Sequence, residues 1–167
     1  MDEISRRKFL IAGGAALAVT GSIRSQTPRK AVENCVFCKI VAGTLASYKL
    51  WENKHFLAFL DNKPIMPGHT LIVPKEHHSY LFEMSEDDYE GIFERVRKLE
   101  PPLRKSMEAK RIGIIVEGFG VDHVHVHMVP MTGGGQLIQK GKTGVTDAEF
   151  EVVAERIRPA IKLAKVR

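Results

Sequence analysis

From residue 47 onward the chain alternates short apolar-rich runs with polar, Gly- and Pro-marked breaks, a pattern that predicts strands punctuated by turns. Residues 47–51 and 55–60 read as two strands of a hairpin joined by the polar turn Glu52-Asn53-Lys54. Lys63-Pro64-Ile65-Met66-Pro67-Gly68 is a loop held by two prolines, and residues 69–74 form a third strand. Ser85, with Asp88 three positions on, is an N-cap opening a helix through about Leu99, which Pro101-Pro102 should end or kink. Residues 111–117 and 123–130 supply two further strands. After the loop Gly133-Gly134-Gly135, Thr146 and Glu149 cap a carboxy-terminal helix running to about Lys165. The expected class is α+β, a five-stranded, mostly antiparallel sheet with one long helix and one carboxy-terminal helix. No repeats or low-complexity tracts interrupt it.

Within the last predicted strand, His123, His125 and His127 alternate with Val124, Val126 and Met128. A period of two is that of a strand, so the three imidazoles leave one face while the apolar residues turn to a core. Successive imidazoles would lie about 7 Å apart. Histidine is the side chain suited to acid, base or nucleophile work near neutral pH. The row points to two chemistries: a metal site, or nucleophilic catalysis in which one imidazole attacks and its neighbours orient it and handle protons. A ring nitrogen attacking phosphorus gives a phosphoramidate that is readily broken again.

The motif His123-Val-His125-Val-His127-Met-Val resembles the signature of the histidine-triad (HIT) nucleotide hydrolases and transferases. Upstream segments agree in order: Asn34 to Gly43, Phe59-Leu-Asp-Asn62, Lys63 to His69, and Thr70 to His77, so the likeness covers about residues 34–131. His127 in the third position resembles the hydrolase side, because the uridylyltransferase branch carries Gln there. The resemblance implies a HIT-like fold and a nucleotide phosphoramidase or nucleoside phosphate hydrolase that works through a nucleotidyl-histidine intermediate. The alternative is a nucleotide-binding zinc module with little catalysis, and a third reading is a metalloenzyme using all three histidines. Position by position, His125 matches the nucleophile and His127 a residue that contacts the phosphate. His123 matches either a leaving-group and orientation residue or a zinc ligand. Asp61 matches the side chain that holds the ribose hydroxyls, and His69 a further histidine near the phosphate. Phe37, Ile40, Phe59 and Leu60 are candidates for a base pocket. The implied partner is a purine nucleotide or nucleoside phosphoramidate, in a homodimer.

Cys35 and Cys38, the only cysteines, form a Cys-x-x-Cys pair. Structural zinc, a redox dithiol and inert thiols compete, and zinc would need two histidines because no second Cys pair exists. A zinc-bearing bacterial subgroup of HIT proteins has ligands at positions matching Cys35, Cys38, His77 and His123. His78 stands beside His77, and in an oxidising compartment a local disulfide is the rival. One departure from the family concerns the segment before the triad. Family members commonly place an Asn and a Gly-Gln-Ser/Thr stretch there; Glu117-Gly-Phe-Gly-Val-Asp122 is shorter and lacks that Gln and hydroxyl. Backbone N–H groups around Gly118 and Gly120 are the expected substitutes, and Asp122 is a candidate hydrogen-bond partner for a triad ring.

The net charge of +5 is unevenly placed. Residues 1–30 hold Arg6, Arg7, Lys8, Arg24, Arg29 and Lys30 against Asp2 and Glu3, leaving only +1 for the rest. A nucleic-acid protein would carry its charge on the folded domain, so no nucleic-acid partner is expected. Twin arginines before the small apolar run Ile11–Val19 resemble a bacterial twin-arginine export signal, and the run is short for a membrane span. The expected organisation is a signal or anchor over 1–22, a linker over 23–33, the HIT domain over 34–131, and a Gly-rich loop with the last helix over 132–167. Export to the periplasmic or extracellular side follows if the signal works, and a cytoplasmic location if it does not. Gly141-Lys142-Thr143 resembles the end of a phosphate-binding loop, but the required first glycine falls on Gln136. His55, in a turn, is expected to be solvated.

Overall fold

The computed structural model describes residues 32–166. The twin-arginine stretch and nearly all of the linker lie outside them. Five strands, β1 (Lys49–Glu52), β2 (Phe56–Leu60), β3 (Thr70–Pro74), β4 (Arg111–Ile115) and β5 (Val126–Met131), form one sheet in the order β1-β2-β3-β5-β4. Every pairing is antiparallel. Three helices, α1 (Val36–Val41), α2 (Glu86–Ser106) and α3 (Asp147–Leu163), cover it. Among the described residues no helix is long and apolar enough to cross a membrane.

The sheet is buried on both faces, which explains why β2 and β3 read as continuous apolar runs rather than alternating ones. Ala58, Leu60, Ile72, Val126 and Met128 face α2 and α3, together with Ile92, Val96, Leu99 and Leu103 of α2 and Phe150, Ala154 and Ile157 of α3. Leu57, Phe59, Leu71 and Val73 face the other way, against Cys35, Phe37 and Cys38 at α1. The short helix α1 gave no clear sequence signal. It starts at Cys35, whose Sγ accepts the Cys38 N–H at 3.5 Å, and it stops before Gly43, whose φ of +75° suits glycine.

Two expectations are corrected. The long helix neither ends near Leu99 nor breaks at Pro101-Pro102; α2 continues to Ser106. Each proline removes one helical N–H donor, yet Pro102 and Leu103 are buried beside Leu99 in the core, and burying them offsets the two lost bonds. Sheet pairing on β5 begins only at Val126, so His123 and His125 precede the strand rather than lie within it. Their alternation survives, because Val124, Val126 and Met128 all enter the α2/α3 core. The expected caps are present. Ser85 Oγ accepts the Asp88 N–H, and Thr146 with Glu149 forms a reciprocal capping box. α3 crosses β1, where Phe150 stacks on Tyr48 with ring centroids 4.9 Å apart.

Candidate active site and metal centre

The three triad histidines share the face occupied by α1, but their environments differ. His123 and His125 are buried and His127 is partly open. The His125 and His127 ring centroids are 4.8 Å apart, closer than the expected 7 Å, because side-chain torsions bring the rings together across the strand spacing. Phe37 of α1 meets the His123 and His125 rings edge-on, with centroids 5.8 and 5.1 Å away.

Each ring is fixed in one tautomer by a partner that can only accept or only donate. His123 Nε2–H donates to the Pro74 carbonyl at 3.0 Å, leaving the Nδ1 lone pair free. His125 Nδ1–H donates to the His123 carbonyl at 2.6 Å, leaving the Nε2 lone pair free. The Ile65 N–H donates to His69 Nδ1 at 3.1 Å, so neutral His69 carries its proton on Nε2 and donates to His127 Nδ1 at 2.9 Å. His127 must then carry its own proton on Nε2. Burial holds His69 down to about 4 despite the opposing Asp61 charge. Burial also lowers His127, with His125 adding to the effect. These two rings are therefore neutral at pH 7, as the relay requires.

Asp61 Oδ2 lies 3.5 Å from His69 Nδ1 and 3.8 Å from His127 Nδ1, while Oδ1 accepts the Lys63 N–H at 2.8 Å. The structure thus gathers Asp61, His69 and His127 into one group. Gly68, with φ of +82°, turns the chain into His69. Phe59 faces the triad side, but Leu60 points into the α2/α3 core, so the two cannot line one pocket. Strand alternation separates them. Asp122 is exposed, and no hydrogen bond joins it to a triad ring among those described. His55 is exposed, as expected.

Cys35, Cys38, His77 and His123 are all buried, with their four ligand atoms within 4.8 Å of one another. Both cysteines are free thiols. Cys35 Sγ lies 3.4 Å from His123 Nδ1, and Cys38 Sγ lies 3.4 Å from His77 Nδ1 and 3.6 Å from His123 Nδ1. A tetrahedral zinc with ordinary Zn–S and Zn–N bonds sets sulfur and nitrogen about 3.5 Å apart, so the donor set fits that ion. The Pro74 carbonyl holds the His123 ring with Nδ1 toward the cysteines, the kind of outer hydrogen bond that would orient a metal ligand. His78 falls outside this cluster, within reach of Glu76 and Asp88, so of the two adjacent histidines the fold brings His77 to the Cys pair.

A family model described as the HIT domain matches residues 43–134. Protein hit of Bacillus subtilis is 36% identical over 108 residues, covering 62% of this chain and 74% of that protein. The adenosine 5'-monophosphoramidase hnt1 of Schizosaccharomyces pombe is 38% identical over 133 residues, 77% of this chain and 99% of that protein. Among solved structures, a zinc-bound histidine triad family protein from Mycobacterium smegmatis matches with a TM-score of 0.68 at 26% identity, over 78% of this chain and 94% of that one. An antiparallel five-stranded sheet carrying alternating histidines at the entry to an inner strand defines the histidine-triad class. The chain belongs to the HIT family.

Proposed function

We propose that this protein is a nucleoside phosphoramidate hydrolase acting through a nucleotidyl-His125 intermediate. The observation that carries the reading is the tautomer pattern: the free lone pair of His125 sits on Nε2, while the relay from Ile65 through His69 gives His127 an Nε2–H donor. A nucleophile without a proton beside a donor without a lone pair suits attack on an anionic phosphoryl group. His125 Nε2 attacks phosphorus, the P–N bond breaks, and the departing nitrogen keeps the electron pair and takes a proton from solvent. Water then cleaves the P–Nε2 bond and releases the nucleoside monophosphate and a proton. His127 Nε2–H stabilises the phosphoryl oxygen in both steps, and Asp61 receives the ribose hydroxyls. The name of the Schizosaccharomyces relative supports the reaction class.

Cys35, Cys38, His77 and His123 would hold a structural zinc, whose contribution is to tie α1 to the entry of β5. His123 then stays out of the chemistry and orients His125 through its carbonyl. The exposed edge of β4, with Ile114 and Val116 open to solvent, supports the homodimer expectation; light scattering tests it. Export through the twin-arginine stretch is tested by the fractionation and intact mass of the expressed protein.

Mass spectrometry after mixing with an adenosine phosphoramidate should show a nucleotidyl adduct on the wild type and none on His125→Ala, with AMP released only by the former. Release of AMP by folded His125→Ala at the wild-type rate would refute the mechanism. Nucleotide affinity without AMP release would favour the binding-module reading, to which the short segment 117–122 lends support.

A further inference from the structure

Beside the nucleophile, on the side away from Asp61, the chain carries an acidic group where an anion site would place none. Ile115 of β4 is paired with His127 of β5. The pairing stops there, and beyond it Glu117 and His125 border one cavity. Gly118, with φ of +89°, follows Glu117 in the loop after β4. That cavity, of about 100 Å³, is also lined by Tyr80 and Phe82, with Leu81, Val116 and Val124 as its apolar side. Tyr80 and Phe82 are 54% and 69% exposed, with ring centroids 5.4 Å apart in an edge-on arrangement. The Glu117 charge also reaches His127, whose protonated form it favours.

A carboxylate beside the reacting phosphorus repels a polyphosphate leaving group and attracts a cation. Two exposed aromatic rings offer faces to the same kind of charge. The cavity volume is about three times the space of one water in the liquid, enough for a short carbon chain but not for a second nucleotide.

Resting on the hydrolase reading above, we infer that this cleft is the leaving-group subsite and that it selects a positively charged amine. In the first step the P–N electron pair stays on the leaving nitrogen, which gains a solvent proton and departs as an amine whose distal ammonium faces Glu117. The phosphorus passes to His125 Nε2, as before.

Three adenosine 5'-phosphoramidates test this, carrying a 4-aminobutyl, a butyl or a 3-carboxypropyl group on nitrogen. Wild-type kcat/KM should favour the aminobutyl over the carboxypropyl compound by about tenfold or more, the effect of one charge at a partly solvated site. Glu117→Gln should bring that ratio to within about twofold, and Glu117→Lys should reverse it. Glu117 is exposed, so both variants should fold; circular dichroism confirms this. A wild-type ratio near one, or a ratio unchanged in Glu117→Gln, overturns the subsite. If the wild type turns over none of the three, the hydrolase reading fails instead. Calorimetric Kd values for the same compounds and variants then decide the subsite on binding alone: the same order and reversal uphold it, and equal affinities reject it.

Discussion

Acid should destabilise this protein in part through His69, and the size of the effect follows from how the ring is held. His69 is 1% exposed, its Nδ1 accepts the Ile65 N–H, and its Nε2–H donates to His127. A second proton would have to sit on Nδ1, facing a donor, on a ring removed from bulk solvent. Burial accordingly lowers the folded-state value from 6.5 to about 4. Because the unfolded chain binds the proton first, stability is fully present above pH 6.5 and is lost as pH falls toward 4. At about 1.4 kcal/mol per pH unit, that interval is worth about 3 kcal/mol. Glutamine is the informative replacement: its carbonyl accepts from Ile65, its amide donates to His127, and it does not titrate between pH 4 and 7. Urea unfolding of wild type and His69→Gln at half-unit steps from pH 7 to pH 4.5 gives the two stability curves. Metal loss and the other histidines act on both, so the difference isolates His69. The wild-type curve should fall more steeply, with the gap growing below pH 6.5. Parallel curves would mean that His69 titrates normally in the folded protein, and the neutral relay would be refuted.

Other outcomes follow from packing and ligation. If the proposed zinc is held there, Cys38→Ser should lose it together with several kcal/mol of stability, read by metal analysis and urea melts; full metal content in the variant rejects the four-residue centre. Leu57→Ala, at a side chain 1% exposed between the sheet and α1, should cost about 2–5 kcal/mol by denaturant unfolding. Gly68→Ala should cost about 1–3 kcal/mol, since its φ is +82° and a Cβ would lie 2.7 Å from Met107 Cγ. Thr146→Ala removes one half of the α3 capping box and should cost about 1 kcal/mol in the same assay.

The two proposed chemistries share one strand entry. His123 gives its Nδ1 to the Cys cluster and its carbonyl to His125, so a shift of the metal centre moves the nucleophile's anchor. On the other side, the Pro64–Gly68 loop holds His127 through Ile65 and His69. Glu117, at the start of the short segment before the triad, lines the cavity beside His125.

The sequence by itself determined which residues are chemically able and which way they face. Period-two alternation put His123, His125 and His127 on one side and Val124, Val126 and Met128 on the other, and both capping signals fell where helices begin. These are local properties, set by backbone geometry within a few residues. The extent of α2 was not local: prolines at 101 and 102 argue for a break, and only the burial of Pro102 and Leu103 against the sheet overrides them. Nor could sequence show that Phe59 and Leu60 serve opposite layers of a sheet buried on both faces. By spacing alone the alternating histidines were equivalent, and only the family resemblance told them apart. Tertiary structure made them different by giving each ring its own partner, the Pro74 carbonyl, the His123 carbonyl or His69, and so deciding which nitrogen is free to react.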